Sequence, residues 1–218
     1  MGLISITMKS DARRSRPVGR PLSFDREAAL HQAMLLFWQH GYEATSLSQL
    51  TAAMGISPPS LYAAFGDKKQ LFLEAVSRYT AWRLGTADAI EQAPTARDAV
   101  CTMLEATAVS FTDPDLPPGC LLISGAINCS PSAGDVQAAL AAIRLEIETR
   151  LRDRIARDVD AGLLPPGTDA RVLAALYMTV IQGMSNQARD GVSRDTLVAL
   201  GHAAMNAWPA PPRDQAGT

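Results

Sequence analysis

Residues 45–68 read TSLSQLTAAMGISPPSLYAAFGDK, and the reading of this stretch decides the fold. Thr45 or Ser46 can cap a helix by accepting from its free amides, after which Leu47, Leu50, Ala53 and Met54 recur at three- and four-residue spacing on one face. Gly55 ends that helix, because glycine takes the left-handed conformation of a helix C-terminus without steric cost, and Ile56 behind it plugs the corner. A second helix starts almost at once. Ser57 is its N-cap, Pro58 and Pro59 occupy first-turn positions where a missing amide is harmless, and Leu61 and Phe65 point inward together. Two helices joined by so short a turn form a helix-turn-helix.

The flanking sequence supplies what such a motif packs against. From Ser23 to His40, Leu30, Ala33, Met34, Phe37 and Trp38 fall on one helical face that ends at Gly41. Asp67 opens a fourth helix with Gln70 placed to complete a capping box, and Leu71, Phe72, Ala75, Val76 and Tyr79 form its buried side as far as about Leu84. That helix touches the motif at one end and leads into the rest of the chain at the other, the position of a lever.

With these neighbours in place, residues 24–83 resemble the DNA-binding head of the TetR family of bacterial transcriptional regulators. The resemblance rests on Gly41-Tyr42, Thr45-Ser46, Gly55-Ile56-Ser57, Leu61-Tyr62, Phe65 and Asp67-Lys68, taken in order. It implies an all-α protein: a three-helix head over residues 23–66, a linking helix over 67–84, and a helical ligand-binding and dimerisation domain over 85–208. It also implies partners, namely a double-stranded DNA operator, a small-molecule effector and a second copy of the chain; no cofactor is expected, and no membrane, since no apolar run reaches the length of a membrane span. Ligand between the helices of residues 95–180 would hold the heads at the wrong spacing for DNA.

A recognition helix lies in the major groove while flanking groups hold the backbone. On this chain its outward positions are Pro58, Pro59, Ser60, Tyr62 and Ala63. Ser60 can bond a base or phosphate, Tyr62 can reach a phosphate through its hydroxyl, and Pro59 or Ala63 can touch thymine methyls. The resemblance adds Thr45, Ser57 and Lys68 as phosphate-positioning residues. Two departures weaken base reading: Pro58-Pro59 stands where Lys-Gly is frequent, and Ala63-Ala64 where larger polar residues are frequent. Specificity is therefore expected to lean on groove shape and on the residues ahead of the head.

Those residues, 1–22, lack hydrophobic periodicity and carry Lys9, Arg13, Arg14, Arg16 and Arg20 against Asp11, reading as a disordered basic arm. Arg16-Pro17-Val18-Gly19-Arg20-Pro21 resembles the Gly-Arg-Pro core of an AT-hook, so Arg16 and Arg20 are assigned to the minor groove, against the plainer alternative of a solvated tail. Met8 offers an alternative start. The net charge of −2 conceals an asymmetry: residues 1–84 hold ten Lys and Arg against six Asp and Glu, a balance of +4, while the remainder carries −6. Local rather than total charge governs attraction to phosphate.

Beyond Leu84, residues 85–94 lose periodicity and Pro94-Thr95 marks a break and a new cap. Helices follow over about 95–111, a short apolar helix or turn over 120–129, a long helix over 133–161, and a final pair over 169–189 and 193–208, before a disordered tail at 209–218. The long helix carries Glu146 with Arg150, Glu148 with Arg152 and Asp153 with Arg157, acid first at i,i+4, which reads as a solvated face. The resemblance makes the last pair a dimerisation surface through Leu176, Val180, Met184, Leu197, Leu200, Ala204, Met205 and Trp208; an intramolecular antiparallel pair is the alternative. Pocket candidates on the inner faces are Trp82, Met103, Phe111, Cys120, Ile143 and Tyr177, against the plainer reading that each is core.

Cys101, Cys120 and Cys129 have no zinc spacing, and a cytoplasmic setting, expected from the lack of a signal core or membrane-length apolar run, disfavours a disulfide. They read as buried hydrophobes, or, for Cys120 in a loop with Cys129 as partner, as an oxidant or electrophile sensor. An enzyme finds little support, because His31, His40 and His202 are far apart and there is no phosphate loop, nucleophile elbow or paired carboxylate. A ligand-free architectural DNA binder would have no need of the long acidic second half. Gel shift with and without ligands separates the three.

Overall fold

The computed structural model describes residues 24–83 and 86–210. The basic arm with Arg16 and Arg20, Leu84, and the tail from residue 211 lie outside the described residues. Among those described, every regular element is helical: α1 (Arg26–His40), α2 (Leu47–Met54), α3 (Pro58–Phe65), α4 (Lys68–Arg83), α5 (Thr86–Gln92), α6 (Ala96–Phe111), α7 (Leu121–Ser124), α8 (Gly134–Asp160), α9 (Ala170–Arg189) and α10 (Arg194–Ala204). None is long and apolar enough to cross a membrane.

The head forms where capping and periodicity agree. Asp25, not Ser23, starts α1, its carboxylate accepting from the amides of Glu27 and Ala28 at 3.0 and 3.1 Å. Leu30, Ala33, Met34, Phe37 and Trp38 are all buried. Phe37 meets Phe72 edge-on at 5.0 Å and Trp38 meets Tyr79 at 5.0 Å, which clamps α1 to α4 with edge-to-face attraction in addition to area burial. Ser46 rather than Thr45 caps α2, in a complete capping box with Gln49. Gly55 then adopts φ 67°, and the Ile56 amide donates to the Thr51 carbonyl at 3.1 Å.

The body packs α8 on α9 and places α6 between α9 and α10. The break and cap expected at Pro94-Thr95 are present, with Thr95 capping α6, but the aperiodic residues ahead of them contain α5, too short to show a period, which docks through fully buried Ile90 against α6 and α8. On α8 the Glu146–Arg150 pair forms at 2.6 Å. The other two pairs read from spacing do not: Arg152 turns to neighbouring Asp153 at 2.7 Å, and Arg157 reaches Glu91 on α5 at 2.5 Å. The face is also not wholly solvated, because Arg154 and Asp158 form a buried ion pair. Asp158 accepts from the Ala96 amide at 2.6 Å and Arg154 donates to the carbonyls of Ala93 and Pro94 at 3.1 and 2.8 Å, pinning the start of α6 to the end of α8.

Head and body share one continuous core and several polar joints. The Tyr42 amide donates to the Gly125 carbonyl at 2.7 Å, and Arg189 of α9 donates to the Trp38 and Gln39 carbonyls at the end of α1 at 3.4 and 3.3 Å. Ser130 donates to the Glu43 carboxylate from its amide and its hydroxyl, and Lys69 pairs with Asp135. Gly119 fastens the loop before α7. At φ 78° it lies so close to α9 that a Cβ would stand 2.8 Å from the Ser185 carbonyl oxygen, and the Cys120 amide next to it donates to Ser185 Oγ at 3.0 Å.

Candidate nucleic-acid interface and interior cavity

The outer face of α3 presents Pro58, Pro59, Ala63 and Tyr62, the last 51% exposed. Ser57 caps α3, its Oγ accepting from the Ser60 amide at 3.3 Å and lying 2.9 Å from Ser60 Oγ, so these two hydroxyls are mutually engaged. Thr45 is a correction: it is fully buried, and its hydroxyl donates to the Gly41 carbonyl at 2.6 Å, so no phosphate can reach its side chain. Ser46 and Ser48 hold the exposed ground at the start of α2, their hydroxyls 3.0 Å apart. The Ser-x-x-Gln spacing of Ser46 and Gln49 is the signal that identifies the true cap. Lys68 is part-buried, its ammonium 4.5 Å from the centre of the Tyr42 ring and 3.5 Å from the Glu43 carbonyl, and burial lowers its pKa.

This face is close to neutral. The head's Arg26 and Arg78 are bound to Glu74 and Glu27, and Lys69 to Asp135. Residues 24–83 hold as many Asp and Glu as Lys and Arg, so the whole +4 of the first half belongs to residues 1–22.

Inside the body lies a cavity of about 130 Å³, roofed by Tyr79 and Arg83 of α4 and walled by α6, α7, α8 and α9. Met103, Phe111 and Cys120 line it as expected. The other three candidates do not. Trp82 is 49% exposed on the opposite side of α4, edge-on to His31; Tyr177 is buried in the core with its hydroxyl donating to the Ala204 carbonyl at 3.2 Å; and Ile143 is replaced one turn on by Ile147. Arg144, on charged α8, is a cavity residue that spacing did not single out.

Cys120 sits in the cavity wall with the Tyr79 hydroxyl donating to its Sγ at 3.3 Å. Burial pushes the Cys120 thiol above its ordinary range and the Tyr79 hydroxyl well above its own. Cys129 lies in a different environment, beside Glu43 and Lys68. A thiol held protonated is a slow nucleophile. Alkylation of Cys120 by iodoacetamide at neutral pH is expected to lag that of half-exposed Cys101 and Cys129 by at least about tenfold, read by peptide mass mapping. Equal rates would restore the sensor reading.

The final helix pair divides its apolar residues between two faces. Met184 and Leu197 are fully buried in their own subunit and Trp208 is buried against Tyr177 at 5.5 Å, which removes these three from the expected dimer surface. Leu176 is 40% exposed, with Val172 exposed beside it and Val180, Leu200, Ala204 and Met205 partly so. The miss has a simple cause: α9 is apolar on both sides, and spacing alone does not say which side meets its own chain.

Comparison with known proteins covers most of the chain. Residues 29–75 match the family model described as bacterial regulatory proteins, tetR family, and residues 96–198 match the tetracyclin repressor-like C-terminal domain. The HTH-type transcriptional repressor ComR of Escherichia coli is 37% identical over 193 residues, covering 88% of this chain and 92% of ComR. BdcR of the same organism, also an HTH-type transcriptional repressor, is 33% identical over 196 residues, with 88% and 92% covered. Among solved structures, a cysteine mutant of the TetR family transcriptional regulator CifR, complexed with 26-base-pair double-strand operator DNA, superposes with a TM-score of 0.83 at 44% identity, covering 88% of this chain and 100% of that one.

Proposed function

Because this chain belongs to the TetR family of bacterial regulatory proteins, we propose that it is a ligand-responsive transcriptional repressor that binds a pseudo-palindromic operator as a homodimer and leaves it when a small molecule fills the interior cavity. The observation that carries this reading is the placement of the cavity. Its roof is the C-terminal end of α4, through Tyr79 and Arg83, and the N-terminal end of the same helix holds Lys68 and Lys69 beside the helix-turn-helix. A ligand with different contacts in two tilts of α4 shifts the population between them, and operator affinity falls without any change to the DNA-facing surface. The half-exposed stripe of Val172, Leu176 and Val180 supports the dimer, and two-fold symmetry sets the half-sites about 34 Å apart, one helical turn of DNA.

Selection of bound genomic fragments by the purified protein, followed by gel shift on the recovered sequence, tests the reading. Recovery of a two-fold symmetric site supports it, and binding without sequence preference sinks it. On that site, Tyr62→Phe is expected to weaken binding about thirtyfold per dimer, since each subunit loses one phosphate hydrogen bond worth about 1 kcal/mol and the two losses add to about 2 kcal/mol. The loss is expected to be uniform across operator variants, because a phosphate contact carries no base information. Unchanged affinity at fixed salt would remove Tyr62 from the interface.

A further inference from the structure

The cavity has a chemical signature of its own. Its walls are mostly apolar, among them Met103, Phe111, Leu122, Ile147 and Ile181, and no Asp or Glu lines it. Two arginines do. Elsewhere on the molecule Arg26, Arg78, Arg154 and Arg157 each pair with a carboxylate, yet among the described residues neither Arg83 nor Arg144 has one. Arg144 donates only to the Leu122 carbonyl, and loss of solvent pulls its pKa down. Arg83 donates to the Ser110 carbonyl at 2.9 Å and lies over the Trp38 and Trp82 rings at 5.4 and 5.1 Å, while its Nε is buried with no acceptor.

The two cations also act on one place. Arg83 and Arg144 line the same cavity as the Tyr79 hydroxyl and Cys120 Sγ, and those two atoms are 3.3 Å apart. Positive charge in an apolar wall is costly unless compensated, and a planar guanidinium with free donors matches a carboxylate fork.

We propose that the cavity takes an amphipathic monoanion, a carboxylate on a single ring or short alkyl body, with its head between Arg144 and Arg83 and its body against the apolar wall. The volume of about 130 Å³ suits a body of about one ring, since a void of about 150 Å³ accommodates benzene. The anion draws on Arg83, the last residue of α4, so binding reaches the lever directly. The regulatory consequence rests on the function proposed above; the anion preference does not.

Calorimetry separates the two. The probes are benzoate, phenylacetate and hexanoate, each beside its primary amide, which keeps shape and loses charge. At least one acid is expected to bind with Kd below about 1 mM and its amide at least about tenfold more weakly. Arg144→Met and Arg83→Met are each expected to reduce affinity for that acid about tenfold or more and to change amide binding less than about threefold, with Arg144→Lys retaining an intermediate affinity. Thermal unfolding of each variant checks that it folds. No binding by any acid up to about 10 mM, or amides that equal their acids, overturns the proposal. Charge-dependent binding that leaves a gel-shifted operator complex intact upholds the anion site and overturns the release mechanism instead.

Discussion

Removal of residues 1–22 is expected to lower operator affinity about 10²–10³-fold at 150 mM salt while leaving thermal stability unchanged. The head supplies little electrostatic attraction by itself, because residues 24–83 balance to zero and Arg26, Arg78 and Lys69 are already paired. Five cations against one acid in the arm provide the remainder. If Arg16 and Arg20 of both subunits each neutralise one phosphate, the slope of log K against log salt flattens by about 3.6 in the truncated protein, at about 0.9 per phosphate. Minor-groove insertion would add a sequence component, so the intact protein is then expected to favour sites whose flanks are A·T-rich and narrow-grooved, and the truncated one not to. Gel shifts at several salt concentrations on paired A·T- and G·C-flanked sites measure both effects. An unchanged salt slope means that the arm is a solvated tail.

Replacement of Asp158 by Ala is expected to lower the free energy of unfolding by about 3–5 kcal/mol, because it strands the Arg154 guanidinium in the body and leaves the Ala96 amide without its acceptor. For a domain of this size that corresponds to a fall in melting temperature of roughly 6–20 °C. The double replacement Arg154→Met with Asp158→Leu is expected to be more stable than the single variant, since exchanging a whole buried pair for apolar groups is near neutral. A single variant that loses less than about 1 kcal/mol, or a double variant worse than the single, would refute the buried-pair account.

These two predictions draw on different kinds of legibility. The arm's charge is visible in one dimension, and so are the head helices, because Ser46, Ser57 and Asp67 cap them locally and Leu30, Met34, Phe37, Leu50, Leu61 and Phe72 mark their buried faces without ambiguity. Arg154 and Asp158 hid among similar charges on α8. Their order is basic first, whereas the pairs read as significant were acid first, and only the arrival of the turn before α6 buries them. Arg144 was missed for the same reason. Trp82 and Tyr177 show the reverse failure: an aromatic ring is equally at home in a wall, a core or a surface, and the choice is made by neighbours distant in sequence. Thr45 was nearly right, one residue from the cap, which was enough to exchange a phosphate ligand for a core hydroxyl.

Helix α4 also sets a scale for how small a release signal can be. Its sixteen residues span about 24 Å, so pivoting it by about 5° at Arg83 carries Lys68 through about 2 Å. In the proposed two-fold pair the mirrored displacement of both heads changes their separation by about 4 Å, against about 3.4 Å per base-pair step of the duplex. A rotation of a few degrees therefore puts the two reading heads out of phase with the operator by about a full base pair. Two of the joints that resist it, Lys69 with Asp135 and Glu43 with Ser130, lie at the surface, where water readily takes over either partner.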